Sequence, residues 1–219
     1  RQVIGTLGGQ FIGYDSETTI WNFLLYDMPL RRFVDNSMMA YPPEAATILS
    51  NRCEEGGTTF SLRPRLDNGV PEGCYALRPL AAGSFDPAPF TPAPDAPPFA
   101  NGLRLSGYRW AAETGCLETA WMLGAPAAGP KSDFFNMAVY FFDATDARIL
   151  EADGPFWNGR YWRAGDSFTR TFCLRNGLER VNEIAEVGLG LYTFDDTPDG
   201  RVFYAVDVLD VNGAPAGQQ

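Results

Sequence analysis

The residues with the most chemical potential fall in one run, Ala152-Asp153-Gly154-Pro155-Phe156-Trp157-Asn158-Gly159-Arg160-Tyr161-Trp162-Arg163-Ala164-Gly165-Asp166. Asp153, Trp157, Arg160, Tyr161 and Trp162 bring a carboxylate, a guanidinium and large amphipathic rings into a turn-rich connection. That set suits the flat apolar face and the hydroxyls of a saccharide. The same residues admit another reading: a long crossover closes the open end of a fold, Trp157 and Trp162 plug its core, and Asp153 ties the turn. The tendency of large rings to be buried favours the plug.

Other chemistry is narrowed by what the chain lacks. There is no histidine in 219 residues, so a Ser-His-Asp or Cys-His arrangement and an imidazole-ligated metal are excluded. Glu118, Glu151, Asp153 and Asp166 supply carboxylates for glycoside hydrolysis, but that reaction needs a set separation that spacing along a chain does not fix. Asp195, Asp196 and Asp199 offer oxygen ligands to calcium, yet the coordination-loop pattern is absent and a solvated hairpin tip explains them. The start, Gly5-Thr6-Leu7-Gly8-Gly9-Gln10, matches neither the dinucleotide fingerprint nor the P-loop, so a tight turn without a ligand is expected. No catalytic residue, cofactor or metal is assigned.

The four cysteines, Cys53, Cys74, Cys116 and Cys173, contain no Cys-x-x-Cys pair. Their two-and-two division between the halves fits disulfides Cys53 with Cys74 and Cys116 with Cys173, although four cysteines allow three connectivities. Strand parity tests the second pair. Leu117, Thr119, Trp121 and Leu123 occupy one face of their strand and leave Cys116 on the other; Phe168, Phe172 and Leu174 leave Cys173 opposite in the same way. Both sulfurs then face outward, and a bond between them is expected to stabilise by roughly 3 to 4 kcal/mol. Disulfides place the chain on the oxidising side: periplasmic, cell-surface or secreted.

These residues are positioned by elements of two kinds. Residues 1–85 read as a small α+β segment: Asp15 or Ser16 caps a helix carrying Ile20, Phe23, Leu24 and Tyr26 that stops near Pro29. A second short helix is expected after Pro42-Pro43, from Glu44 to about Ser50. Strands are expected at Thr58 to Leu62 and Cys74 to Leu77. Residues 86–101, with six prolines between Asp86 and Pro98, read as an extended linker over the surface. From 102 to 219 the period is two, with strands at 103–110, 116–123, 134–142, 148–152, 167–174, 186–194 and 201–209, and a hairpin between the last two. About seven short strands separated by Gly, Pro, Asn and Asp make a mainly β fold, an antiparallel β-sandwich of immunoglobulin-like or jelly-roll type.

The whole chain adds exclusions. Its net charge is −10, Lys131 is its single lysine, and its arginines are scattered singly or in pairs, as at Arg31, Arg32, Arg52, Arg63 and Arg65. Nucleic acid is therefore not expected as a partner, nor is electrostatic binding to an anionic membrane. The longest apolar run, around Ile20 to Leu25, is far short of the roughly 20 residues of a membrane-spanning helix. A chain starting at Arg1 without a signal-peptide pattern is expected to be a processed form or a fragment.

Within the second half, Asp153-Gly154-Pro155, Gly159, Trp162, Gly165-Asp166 and Gly188-Leu189-Gly190-Leu191-Tyr192 follow the strand at 134–142 in a pattern that resembles the exported C-terminal β-sandwich of multi-spanning glycosyltransferases. These are enzymes of the protein-mannosyltransferase and aminoarabinose-transferase type, which use lipid-linked sugar donors. Trp21-Asn22-Phe23-Leu24-Leu25, Arg32-Phe33-Val34-Asp35 and Ala40-Tyr41-Pro42 look like the exported segment leading into such a sandwich. Arg160-Tyr161 stands where Pro-Thr often precedes the matching tryptophan, and Gly115-Cys116 where Gly-Asp is usual. The resemblance implies a module that positions acceptor or glycan, or caps the enzyme, with catalysis located elsewhere. The function expected is a non-catalytic, extracytoplasmic, glycan-associated module. The alternatives are a structural or interaction subunit docked on a membrane or cell-surface assembly, and a small glycoside hydrolase.

Overall fold

The computed structural model describes residues 2–7, 15–51, 57–62, 73–127, 133–209 and 215. The chain divides into two compact units at Phe85/Asp86.

The first unit is built on strands β1 (Gln2–Thr6), β2 (Leu30–Val34), β3 (Met38–Tyr41), β4 (Ala46–Ser50), β5 (Thr58–Leu62) and β6 (Gly73–Leu80), with one helix, α1 (Ser16–Leu24). Its five-stranded sheet has the order β2-β1-β4-β6-β5. β1 runs parallel to both β2 and β4, whereas β6 is antiparallel to β4 and β5. The helix has Asp15 at its N-cap position, though without a side-chain capping hydrogen bond, and ends ahead of Pro29. Among its described side chains Thr18 and Trp21 are buried, while Ile20, Phe23 and Leu24 are exposed.

Two expectations for this unit are corrected. Residues Ala46 to Ser50 form a strand, not a helix. Their sequence Ala-Thr-Ile-Leu-Ser is rich in β-branched and apolar residues, and burial between β1 and β6 overrides the helix-start signal of Pro42-Pro43. Gly5 and Thr6 end a strand instead of opening a turn: a Cβ on Gly5 would sit 2.6 Å from the Phe33 ring, so glycine there admits close packing of β2. Gly8, Gly9 and Gln10 lie outside the described residues, as does Cys53. Cys74 is disulfide-bonded.

The second unit is the β-sandwich. Strands β7 (Thr91–Pro92), β8 (Leu103–Ala111), β9 (Cys116–Leu123), β10 (Asn136–Phe142), β11 (Arg148–Pro155), β12 (Ser167–Cys173), β13 (Glu186–Thr197) and β14 (Gly200–Ala205) pair antiparallel throughout. One sheet has the order β11-β10-β13-β14, and the other runs β12-β9-β8-β7. The proline-rich stretch is not a bare linker. It is mostly exposed, but Thr91 and Pro92 pair with Tyr108 and Gly107, an edge position where a missing N–H is tolerated.

Inward-facing residues of the two sheets meet in the core. Met137, Val139 and Phe141 of β10 are buried, as are Leu117, Trp121 and Leu123 of β9. Trp110 of β8 meets Phe141 with ring centroids 5.5 Å apart. Opposite parity sends Cys116 and Cys173 outward, where they stand directly across the β9–β12 ladder and form a disulfide. Closing a loop with a sequence separation of 57 stabilises by roughly 4 kcal/mol on the chain-entropy model.

Candidate functional site

Period-two alternation places Glu151 and Asp153 of β11 on the outer face of their sheet, in register with Tyr140 and Ala138 of β10. On β13 the same face carries Gly188, Gly190 and Tyr192, in register with Tyr140, Ala138 and Asn136. On β14 it carries Phe203, opposite Phe194. The result is a sheet surface with rings at intervals, carboxylates along one border and bare backbone at two glycines.

Tyr192 reaches across β10 and donates its hydroxyl hydrogen to Asp153 Oδ2 at 2.6 Å. Ala138, in register with Asp153 on one side and Gly190 on the other, leaves room for that crossing. Burial and the adjoining carboxylate hold the Tyr192 phenol well above the ordinary tyrosine range, so it remains a donor at neutral pH. Arg148 lies over the Tyr140 ring at 5.1 Å, a cation–π contact, and approaches Glu151 to 3.8 Å. On the far side, Arg201 covers Phe194 at 3.9 Å and pairs with Asp196 at 2.7 Å.

Beside β11 runs a groove of about 600 Å³ whose polar lining is Arg148, Glu151, Asp153, Arg175 and Asn176. It opens onto the outer face through Arg148, Glu151 and Asp153. Glycine matters there: a Cβ on Gly188 would lie 3.1 Å from Phe142, and one on Gly190 4.0 Å from Ala138. Without them a ligand can approach the backbone between Tyr140 and Tyr192. A second cavity, about 430 Å³ and mostly apolar, lies between the sheets, with Tyr108, Trp110 and Leu117 on one wall and Ile184, Val187 and Leu189 on the other.

Of the five residues singled out in the sequence, Asp153 belongs to this surface, but it bonds Tyr192 and does not tie the turn. The turn is tied by Asp166, whose carboxylate accepts the Arg163 N–H at 2.9 Å. Trp157 and Trp162 are fully buried and Tyr161 is 5% exposed, so their faces are out of reach of a saccharide. They are the plug. Trp162 stacks on Phe135 at 5.0 Å, Trp157 packs on Phe168 at 5.0 Å, and the Trp162 indole N–H donates to the Trp157 carbonyl at 3.2 Å. Arg160 is exposed on a short 3₁₀ turn, Gly159–Tyr161, begun by Asn158, and lies 3.7 Å from Asp133.

Tyr140, Arg148, Arg175, Asn176 and Tyr192 are the groups that motif reasoning passed over. The signal for Tyr192 was present: in Gly188-Leu189-Gly190-Leu191-Tyr192, strict alternation puts both glycines and the tyrosine on one face. Arg175 and Asn176 follow the end of β12 and reach the groove through the sheet packing alone, which no local pattern encodes.

The arrangement offers donors, acceptors and ring edges for recognition. Glu118 sits on the outer face of the other sheet, bonded to Arg109, and Asp166 is buried in its turn. Glu151 and Asp153 share a face, and each is already engaged, Glu151 by Arg148 and Asp153 by Tyr192. Among the described residues no cluster of three or more Asp, Glu, Cys or His can hold a metal, and no helix is long and apolar enough to cross a membrane. No protein-family model matches the chain, and neither the curated proteins nor the solved structures compared with it give a match.

Proposed function

We propose that the second unit is a non-catalytic, glycan-associated β-sandwich module that holds a saccharide in the groove along β11 and on the adjoining outer face. The carrying observation is the convergence of Arg148, Glu151, Asp153, Arg175 and Asn176 on one groove beside Tyr140 and Tyr192. Paired carboxylate and guanidinium groups match sugar hydroxyls, and the rings match the apolar face of the pyranose. The Cys116–Cys173 disulfide supports an extracytoplasmic setting. On this reading the module serves a membrane glycosyltransferase that uses a lipid-linked donor, positioning acceptor or glycan for chemistry performed elsewhere.

Chemical-shift mapping with a panel of neutral and acidic oligosaccharides tests the proposal. Shifts are expected at Tyr140, Glu151, Asp153 and Tyr192. Asp153→Asn is expected to weaken binding about tenfold, the loss of one charge-assisted hydrogen bond, while barely moving the melting temperature. Silence across the panel at millimolar sugar, or shifts clustered on another surface, would reject the site.

The second reading, an interaction subunit on a membrane or cell-surface assembly, is favoured by the apolar side chains that α1 leaves exposed, chiefly Phe23 at 75% and Ile20 at 53%. Co-purification of a partner in fixed ratio, lost on Phe23→Ser, is its test.

A further inference from the structure

In a chain with 27 acidic residues against 17 basic ones, an arginine has no shortage of carboxylates to pair with. Most of the described arginines are committed in that way or to the backbone. Arg109, Arg180 and Arg201 pair with Glu118, Glu183 and Asp196, while Arg148 and Arg160 lie 3.8 Å and 3.7 Å from Glu151 and Asp133. Arg31, Arg104 and Arg163 donate to backbone carbonyls, and Arg32, Arg78 and Arg170 are engaged as well. Arg175 alone among the described arginines makes no hydrogen bond, ion pair or ring contact, and it lines the groove beside β11. The side chain of Asn176, next to it in that lining, is likewise uncommitted.

Their neighbours hold both residues in place. Before them, Leu174 is buried and its N–H donates to the Gly115 carbonyl at 2.9 Å. After them, Gly177 takes a φ of 81°, a left-handed conformation that suits glycine, and its carbonyl accepts the Arg180 N–H at 2.9 Å. A Cβ on Gly177 would lie 2.3 Å from the Leu150 side chain, so the turn packs tightly against β11. Backbone pinned on both sides presents Arg175 and Asn176 to the groove with little left to order on binding. The other charges of the lining are spent: Asp153 accepts the Tyr192 hydroxyl at 2.6 Å, and Glu151 faces Arg148, which lies over the Tyr140 ring. Of the two guanidiniums and two carboxylates in the lining, the one left to meet a ligand's charge is a guanidinium.

We propose that the saccharide held in this groove is acidic, a uronic-acid-bearing glycan whose carboxylate docks on Arg175 with the Asn176 amide as a further donor. The inference rests on the saccharide reading of the groove and adds the class of sugar. A planar carboxylate accepts two parallel N–H bonds from a guanidinium fork, which an unpaired arginine is free to give. A phosphate monoester would bring nearly two charges into a groove that also holds Glu151 and Asp153, so the single charge of a carboxylate fits the lining better.

Titration calorimetry of the full chain with oligomers of galacturonic, glucuronic and mannuronic acid, each beside its methyl ester, is the test. Esterification keeps the rings and hydroxyls and removes the charge alone. At low salt one of the acids is expected to bind about tenfold more tightly than its ester, the worth of one charge-assisted contact, and the gap should narrow as ionic strength rises. Arg175→Gln is expected to abolish the gap while leaving ester binding and the melting temperature unchanged, because Arg175 supports nothing in the fold. Arg175→Lys should recover part of the gap, restoring the charge without the fork. Esters bound as tightly as acids, a preference for the acid that survives Arg175→Gln, or inorganic sulfate bound as tightly as the oligomers would overturn the inference. Equal binding of acid and ester in the groove would leave the saccharide reading standing, whereas no binding of either removes both, so the two fail separately.

Discussion

Burial, and after it the hydrogen bond to Asp153, raises the Tyr192 pKa, and the effect is open to titration. The phenol's contribution to stability is present below the ordinary tyrosine pKa and fades as pH rises past it. Replacing Asp153 by Asn should bring the Tyr192 titration, followed by 13Cζ NMR, down toward the usual range. Asp143 works in the other direction. Its carboxylate accepts from the Thr145 hydroxyl at 2.6 Å, the Thr145 N–H at 2.8 Å and the Ala147 N–H at 3.1 Å, and these bonds lower its pKa. The stability it gives the β10–β11 turn is complete above the ordinary aspartate pKa and is lost as pH falls through the lowered value. A melting-temperature series against pH should show that fall in the native chain and a shallower one in Asp143→Asn. For the plug, Trp162→Ala is expected to cost about 3 to 5 kcal/mol in chemical denaturation, as a large ring removed from a packed core does. That outcome would separate the plug tryptophans from the groove residues, whose loss should cost binding and not stability.

At the scale of elements, what alternation encodes was readable. The strands from β8 to β14, their antiparallel pairing, a turn before Gly200 and the outward parity of Cys116 and Cys173 follow from a period of two and from glycine, proline and aspartate punctuation, although Asp195 and Asp196, read as part of the hairpin tip, lie in β13. β4 was not readable, because Ala-Thr-Ile-Leu-Ser after two prolines satisfies a short helix locally, and only pairing with β1 and β6 decides against it. Asp153 was visible as a candidate because of its neighbours, whereas the groove around it is assembled from β11, the end of β12 and the residues that follow it. Within these elements the Cys116–Cys173 bond sits at the last rung of the β9–β12 ladder. Replacing both cysteines by serine is expected to lower unfolding free energy by roughly 4 kcal/mol, read as a lower denaturant midpoint with the fold retained.

At the scale of the whole molecule, the groove follows β11 at one border of its sheet, and two strands, β10 and β13, separate it from β14 at the other. The segment that joins the two sheets, residues 156–166, carries the plug, so its tryptophans hold the layers against each other. The disulfide has one more consequence. Because Cys116 and Cys173 are bonded, β9, β10, β11, the plug and β12 lie on a closed covalent ring. A protease that cuts once in the exposed turn around Thr145 opens that ring but releases nothing. The nicked chain should run at full mass until a reductant is added, and only then separate into two pieces.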